Sequence, residues 1–189
     1  MIKIGIDVGS TTAKLVAVDE NDNLLFSKYE RHNAKAKETI LSFLKELLSE
    51  IGDKDISVRI TGSIGMGISE KCSLPFVQEV VAAAKAIQKD YSHVTSMIDI
   101  GGEDAKVVFF KDAEATDLRM NGNCAGGTGA FIDQMAIILG VNIDELNQLA
   151  MNATQVYPIA SRCGVFCKTD IQNLIAKNVS RENIAASMR

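Results

Sequence analysis

The 189-residue sequence has few of the features that mark membrane, secreted or low-complexity proteins. No apolar run approaches the roughly 18 residues that a membrane span needs, and the start, MIKIGIDVGS, predicts a strand and a glycine turn, not a signal peptide. Only two prolines occur, and no Pro- or Ser-rich linker interrupts the chain. The net charge of −4 disfavours non-specific binding to nucleic acid or anionic membrane. We therefore expect a cytoplasmic protein with neither of these partners.

The composition is that of an ordinary globular protein, with 47% hydrophobic and 23% charged residues. Its length allows one domain or two small ones. Four cysteines in a cytoplasmic chain are not expected to form disulfides. The simplest alternative to disulfides is that the cysteines are buried thiols of the core. We assign Cys72, in EKCSLPF, to this class. The other three are Cys124, Cys163 and Cys167.

Apolar spacing predicts an alternation of strands and helices, hence an α/β fold. The N-terminal IKIGIDVGSTTAKLVAVD is predicted to form a hairpin, followed by a third strand in LLFSKYER and a helix over 38–51. SVRITGS predicts a strand, QEVVAAAKAIQKD a helix, and VTSMIDIGGEDAKVVFF a second hairpin. Three further helices are predicted at about 127–139, 144–152 and 169–178.

The two hairpins are copies of one pattern. Residues 6–16 read IDVGSTTAKLV and residues 98–108 read IDIGGEDAKVV, without a gap. This repeat predicts a duplicated fold with facing halves, 1–95 and 96–189. Near the C-terminus, SRENIAASMR predicts a helix capped by Ser180. The second half lacks the final strands of the first, so we expect a truncated second half and a fragment of a longer chain.

Each hairpin copy has an aspartate at the end of its first strand, Asp7 or Asp99. Turns with free N–H groups bind phosphate oxygens, and a carboxylate can hold Mg²⁺, usually through water. One such turn could be a plain turn, but two facing ones could bind a polyphosphate and its metal. Lys14 and Lys106 are either phosphate partners or solvated side chains. The candidate nucleotide-binding residues of the turns are Gly9, Ser10, Thr11, Thr12, Gly101, Gly102, Glu103 and Asp104.

Other polar residues near these motifs have simpler explanations. Glu79 opens a predicted helix, where it either orients an attacking water or is an acid favoured in a first turn. His32 and His93, in polar surroundings, are predicted at the surface. The three glycines of the TGSIGMG stretch are predicted to shape a turn; they are Gly62, Gly65 and Gly67.

The stretch NCAGGTGAFID places Cys124 just before three glycines and a predicted helix. The positive end of a helix dipole favours a thiolate, but the glycines could instead form another phosphate loop. Cys163 and Cys167 are one helical turn apart and could share a metal such as Zn²⁺. That spacing is not the usual C-x₂-C, and neither a histidine nor another cysteine pair lies nearby.

The combined motifs resemble one branch of the actin–Hsp70–sugar-kinase ATPase superfamily, the BadF/BadG/BcrA/BcrD type. The motifs are DVGSTTAK at 7–14, DIGGEDAK at 99–106, NCAGGTGAFID at 123–133 and SRCGVF at 161–166. The resemblance implies a duplicated ribonuclease H-like (actin-like ATPase) fold. It also implies that Asp7, Asp99 and Glu79 serve ATP hydrolysis with Mg²⁺.

In that branch, two cysteines per protomer hold one [4Fe–4S] cluster between two protomers, and Cys124 and Cys163 stand at the matching positions. A cluster needs four thiolates, which a two-fold dimer supplies from two cysteines per chain; a tandem-domain pseudo-dimer would do the same. Cys167 fits the pattern less well.

The resemblance implies an ATP-dependent activator of anaerobic metabolism that passes an electron to a 2-hydroxyacyl-CoA dehydratase or benzoyl-CoA reductase-type partner. The implied electron donor is a ferredoxin or flavodoxin. Two alternatives stay open at this point: a small-molecule kinase of the same superfamily, and a degenerate non-catalytic module.

Overall fold

The computed structural model describes residues 1–112, 114–121 and 124–188, which form seven strands and seven helices. The strands are β1 (Ile2–Val8), β2 (Thr12–Val18), β3 (Leu24–Arg31), β4 (Ile56–Thr61), β5 (Ser96–Ile100), β6 (Ala105–Lys111) and β7 (Glu114–Met120). The helices are α1 (Ala36–Ile51), α2 (Gly65–Cys72), α3 (Glu79–Asp90), α4 (Gly129–Ile138), α5 (Ile143–Met151), α6 (Gly164–Ala176) and α7 (Arg181–Ser187).

The chain divides into two compact units. One spans Met1–Thr95 with Phe109–Thr116, and the other spans Ser96–Val108 with Asp117–Arg189. The finer division into functional halves at 1–95 and 96–189 stays a prediction.

The first unit contains a four-stranded sheet in the order β3-β2-β1-β4. β1 pairs antiparallel with β2 and parallel with β4. Alternate residues of β1 are buried because one face of the strand packs into the core. Helix α1 contributes Ile40, Phe43 and Leu47 to that core. The predicted hairpin, third strand and helix are confirmed.

The second unit has its own core, built from helices. Met135 of α4, Ile171 of α6 and Ile184 of α7 are almost fully buried and belong to one cluster. The predicted second hairpin is confirmed and belongs to a three-stranded sheet in the order β5-β6-β7. Strand β7 was not predicted because all its residues are exposed, so no apolar alternation marks it.

Two local predictions are wrong. Gly62 does shape a turn, with φ of +91°, but Gly65 and Gly67 belong to helix α2. Helix α6 begins at Gly164, ahead of the predicted 169. The prediction missed its first turn because the apolar residues Val165 and Phe166 are exposed there and do not continue the spacing of the buried residues. The Ser180 cap is confirmed, since its hydroxyl accepts the Asn183 N–H at 3.4 Å. Within the described ranges, none of the helices combines the length and apolarity required to span a bilayer.

Candidate functional site

The two hairpin turns are closed by the same hydrogen bond at equivalent positions. The Gly9 N–H donates to the Thr12 carbonyl at 3.0 Å, and the Gly101 N–H donates to the Asp104 carbonyl at 2.8 Å. The sequence repeat is therefore also a repeat of turn geometry. We name the segments 7–14 and 99–106 hairpin 1 and hairpin 2.

Asp7 lies at the end of β1 with its two carboxylate oxygens in different environments. Oδ2 accepts a hydrogen bond from Lys14 Nζ at 2.9 Å. Oδ1 is buried and, within the described residues, has no hydrogen-bond partner; the same holds for Oγ1 of Thr61, which pairs with Asp7 across β1 and β4. Buried polar oxygens are costly unless something satisfies them. Oxygen donors of this kind fit a hydrated Mg²⁺ with phosphate oxygens.

Gly62 makes this arrangement possible. Its φ of +91° is left-handed, and a Cβ there would lie 2.4 Å from the Val8 carbonyl oxygen and 2.6 Å from Asp7 Oδ1. Only glycine lets the chain after β4 pass this close to the carboxylate. The sequence showed Gly62 as a turn residue, but not that it borders Asp7.

Lys14 is held at hairpin 1 by charge and by an aromatic ring. Its Nζ lies 5.3 Å from the centre of the Tyr29 ring. Burial lowers the pKa of Lys14, but the Asp7 hydrogen bond and charge, with Tyr29 and Glu79, raise it above its ordinary value overall. Glu79, the first residue of α3, is therefore close enough to act electrostatically on Lys14. Its predicted role with water stays a prediction.

His32 contradicts its predicted surface position, whereas His93 is exposed as predicted. His32 is 5% exposed, and its Nε2 lies 3.0 Å from the Gly9 carbonyl oxygen. Since a carbonyl only accepts, Nε2 is the donor. The backbone N–H of His32 also donates to the Thr11 carbonyl at 3.2 Å. His32, directly after β3, is buried because it packs and hydrogen-bonds against the turn of hairpin 1.

Hairpin 2 differs from hairpin 1 in the position of its lysine. Lys106 is buried, and its Nζ lies 3.0 Å from Asp104 Oδ1 in the turn. Asp99, the counterpart of Asp7, is half-buried at the end of β5, and Glu103 is exposed. Burial of Lys106 excludes the solvated alternative for this lysine, whereas Lys14 is about half exposed.

Cys124 and Cys163 lie on two segments that touch through glycines. A Cβ on Gly126 would lie 3.0 Å from the Gly164 nitrogen and 3.3 Å from Cys124 Sγ. Cys163 is the N-cap of α6, and its thiol makes no capping hydrogen bond. Cys124 is exposed, Cys163 is half-buried, and the Gly126 N–H donates to Cys124 Sγ at 3.4 Å. Cys163 directly precedes α6, whose dipole favours negative charge at that end, whereas Cys124 lies several residues before α4.

The other two cysteines do not belong to this pair. Cys167 is 7% exposed in the core of the second unit, where burial, and after it Asp170, raises the pKa of its thiol. Cys72 is exposed at the end of α2, so its assignment to the core is wrong. No group of three or more His, Cys, Asp and Glu gathers around a metal position in the part of the chain that is described. The zinc alternative at Cys163 and Cys167 therefore has no third ligand among these residues.

Several backbone donors of the loop after Cys124 are already engaged in hydrogen bonds. The Thr128 N–H donates to the Ala125 carbonyl, and the Gly129 N–H donates to the Gly101 carbonyl at 2.8 Å. With the Gly126 N–H directed at sulfur, three donors are engaged, which disfavours the phosphate-loop alternative. Gly122 and Asn123 lie outside the described residues.

Sequence reasoning missed three residues of this region: Thr61, Gly62 as a neighbour of Asp7, and Asn121, whose side chain hydrogen-bonds to Ala105 and to Cys124. Thr61 ends a strand that runs parallel to β1, and polar residues at the carboxyl ends of neighbouring parallel strands meet at one edge. That rule was the available signal. For Asn121 there was none, because its bond to Ala105 joins residues that are distant in sequence.

Comparison with known proteins adds the family context. A model of the BadF/BadG/BcrA/BcrD ATPase family matches residues 4–189. The chain is 30% identical to the activator of lactoyl-CoA dehydratase of Anaerotignum propionicum over 97% of this chain and 71% of that protein. It is 27% identical to the (R)-2-hydroxyglutaryl-CoA dehydratase activating ATPase of Acidaminococcus fermentans, over 98% and 72%.

Solved structures of activators also resemble this chain. The structure of the activator of 2-hydroxyisocaproyl-CoA dehydratase from Clostridium difficile, with bound ADPNP, has a TM-score of 0.88 and 29% identity. That comparison covers all of this chain and 70% of the other. The predicted actin-like ATPase fold is therefore confirmed.

Proposed function

Because the chain belongs to the BadF/BadG/BcrA/BcrD ATPase family, we propose that it is an ATP-dependent activator that delivers a low-potential electron to an acyl-CoA dehydratase or reductase. Family membership and the activator relatives support ATPase activity. One observation carries the electron-transfer part: the contact of Gly126 with Gly164 brings the Cys124 and Cys163 segments together.

Each hairpin has a proposed part in nucleotide binding. Asp7 and Asp99 are the proposed Mg²⁺ residues, acting through water, and the turns from Gly9 to Thr12 and from Gly101 to Asp104 are the proposed phosphate-binding segments. The unpartnered Oδ1 of Asp7 and Oγ1 of Thr61 support this use of hairpin 1. Glu79 orients the attacking water.

The proposed cluster site uses Cys124 and Cys163 as two of four ligands. An exposed thiol and a half-buried one, each before a helix N-terminus, fit half of a [4Fe–4S] ligand set. A second chain or a tandem domain supplies the other half. When bound, the cluster stores one low-potential electron. In this proposal the protein receives that electron from a ferredoxin or flavodoxin.

The function is tested with anaerobically purified full-length protein, a reductant, ATP and an acyl-CoA dehydratase partner. We expect ATP-dependent dehydration, abolished in Cys124→Ser and Cys163→Ser and preserved in the matched control Cys72→Ser. We expect Asp7→Asn to lower ATP hydrolysis about 100-fold, because it weakens the hold on Mg²⁺; this is the size typical of losing one preorganised electrostatic group at a reacting centre. Phosphoryl transfer to sugars or small acids, without partner activation, would contradict the proposal and favour a kinase.

A further inference from the structure

We propose that Asn121 is a positioning residue that transmits the nucleotide state of hairpin 2 to Cys124. This inference rests on the proposed function, since it takes hairpin 2 as a phosphate site and Cys124 as a redox ligand. The new element is the connection that Asn121 makes between hairpin 2 and Cys124.

The Asn121 amide joins the two segments through both of its ends. Its Oδ1 accepts the Ala105 N–H at 2.9 Å, and its Nδ2 donates to the Cys124 carbonyl at 3.0 Å. The backbone N–H of Asn121 also donates to the Ala105 carbonyl at 3.0 Å. An oxygen that accepts and a nitrogen that donates fix the orientation of the amide. Ala105 directly follows the turn of hairpin 2.

A second connection anchors the other end of the same loop. The Gly129 N–H donates to the Gly101 carbonyl at 2.8 Å, and the Ala130 N–H donates to the Gly102 carbonyl at 3.3 Å. A Cβ on Gly129 would lie 3.0 Å from the Gly101 oxygen, so this contact is close. The turn of hairpin 2 thus bonds to the start of α4 on one side and, through Asn121, to Cys124 on the other. A shift of this turn on phosphate binding therefore moves both Cys124 and the start of α4.

The Asn121 link is the one that a side chain makes, so it can be removed without altering the backbone. Asn121→Leu keeps the volume and removes both bonds. Asn121→Asp keeps the acceptor for the Ala105 N–H but sets an oxygen against the Cys124 carbonyl, which breaks only the Cys124 side. Both variants leave the proposed magnesium ligands in place.

The test follows the reactivity of Cys124 in cluster-free full-length protein. Alkylation by iodoacetamide is timed with and without Mg²⁺ and the ATP analogue ADPNP, and modified peptides are quantified by mass spectrometry. In the unmodified sequence we expect the nucleotide to change the Cys124 rate by about fivefold or more, the lower range of allosteric coupling. Cys72, exposed in the first unit, is the internal control and keeps its rate.

In both Asn121 variants we expect ADPNP to bind with unchanged affinity while most of the Cys124 response is lost, since only the backbone connection through Gly129 remains. A full response in the variants, a lost affinity for ADPNP in both, or no response in the parent protein would each overturn the inference. Failure of the proposed function is read separately, as absence of iron after anaerobic reconstitution. The two failures are therefore distinguishable.

Discussion

The two hairpins share one turn, but they are held in different ways. Hairpin 1 is supported by His32, which hydrogen-bonds to Gly9, and by Gly62, which passes close to Asp7. Within the described residues, Oδ1 of Asp7 is buried and has no hydrogen-bond partner. Hairpin 2 has a buried lysine and is bonded to the helix that follows Cys124. The difference fits the proposals above, in which each hairpin receives phosphate and hairpin 2 also connects to Cys124.

The largest predicted effect comes from closing the space beside Asp7. Gly62→Ala places a methyl group 2.4 Å from the Val8 oxygen at a left-handed φ, so we expect a loss of about 3 kcal/mol or more in the free energy of unfolding. Urea unfolding measures it. The matched control is Gly67→Ala, inside α2 with open space around it, which we expect to be neutral or slightly stabilising. Equal effects of the two changes would contradict the close packing at Asp7.

The next largest effect is a difference in the free energy of unfolding between variants of the two lysines. Lys106→Met removes a buried ammonium from Asp104, and we expect a loss of about 2 kcal/mol. Lys14→Met removes a half-exposed partner of Asp7, and we expect about 1 kcal/mol or less. Both are measured by urea unfolding at the same pH. A larger effect at Lys14 would reverse the comparison between the hairpins.

His32 should affect nucleotide affinity more than turnover. His32→Phe keeps most of the ring volume but loses the donor to the Gly9 carbonyl, so we expect the KM for ATP to rise about threefold to tenfold, the value of one hydrogen bond, with a smaller change in kcat. Steady-state ATP hydrolysis separates the two constants. His93→Phe, at an exposed position, serves as the control. An unchanged KM in His32→Phe would show that the turn does not need this brace.

The smallest effect is a pH-dependent one, away from both hairpins. Hydrogen bonds from Lys89 and then Lys3 lower the pKa of Asp22 to about 2. A lowered folded-state pKa contributes stability above the unfolded pKa of about 4, and that stability is lost as the pH falls from about 4 to 2. The stability difference between the parent and Asp22→Asn should therefore shrink over this range, in urea titrations at successive pH values. A constant difference would contradict the ion-pair assignment.

The sequence predicted those parts of the fold that have a local pattern. Alternation in β1 and β2 and the helical spacing of α1 come from one buried face, and the repeated turn is visible in the letters themselves. Strand β7 is exposed throughout and so has no pattern. The environment of Asp7 was hidden because Thr61 and Gly62 reach it through the parallel pairing of β1 with β4.

The burial of single residues was likewise beyond local reasoning. His32 has polar neighbours in sequence but is buried against hairpin 1, and Cys72 was assigned to the core but is exposed. Both depend on which element packs over them. The start of α6 at Gly164 was also missed, although it is what makes Cys163 an N-cap residue.

Cys124 and Cys163 are proposed to supply half of the ligands of a shared cluster. The direct test is iron and sulfide analysis with EPR spectroscopy of the anaerobically purified full-length protein, with and without ATP. We expect a brown protein with about four irons for each four cysteine ligands, a reduced-state EPR signal that ATP alters, and loss of iron in Cys124→Ser and Cys163→Ser but not in Cys72→Ser. A protein that stays colourless after anaerobic reconstitution with iron and sulfide would contradict the claim.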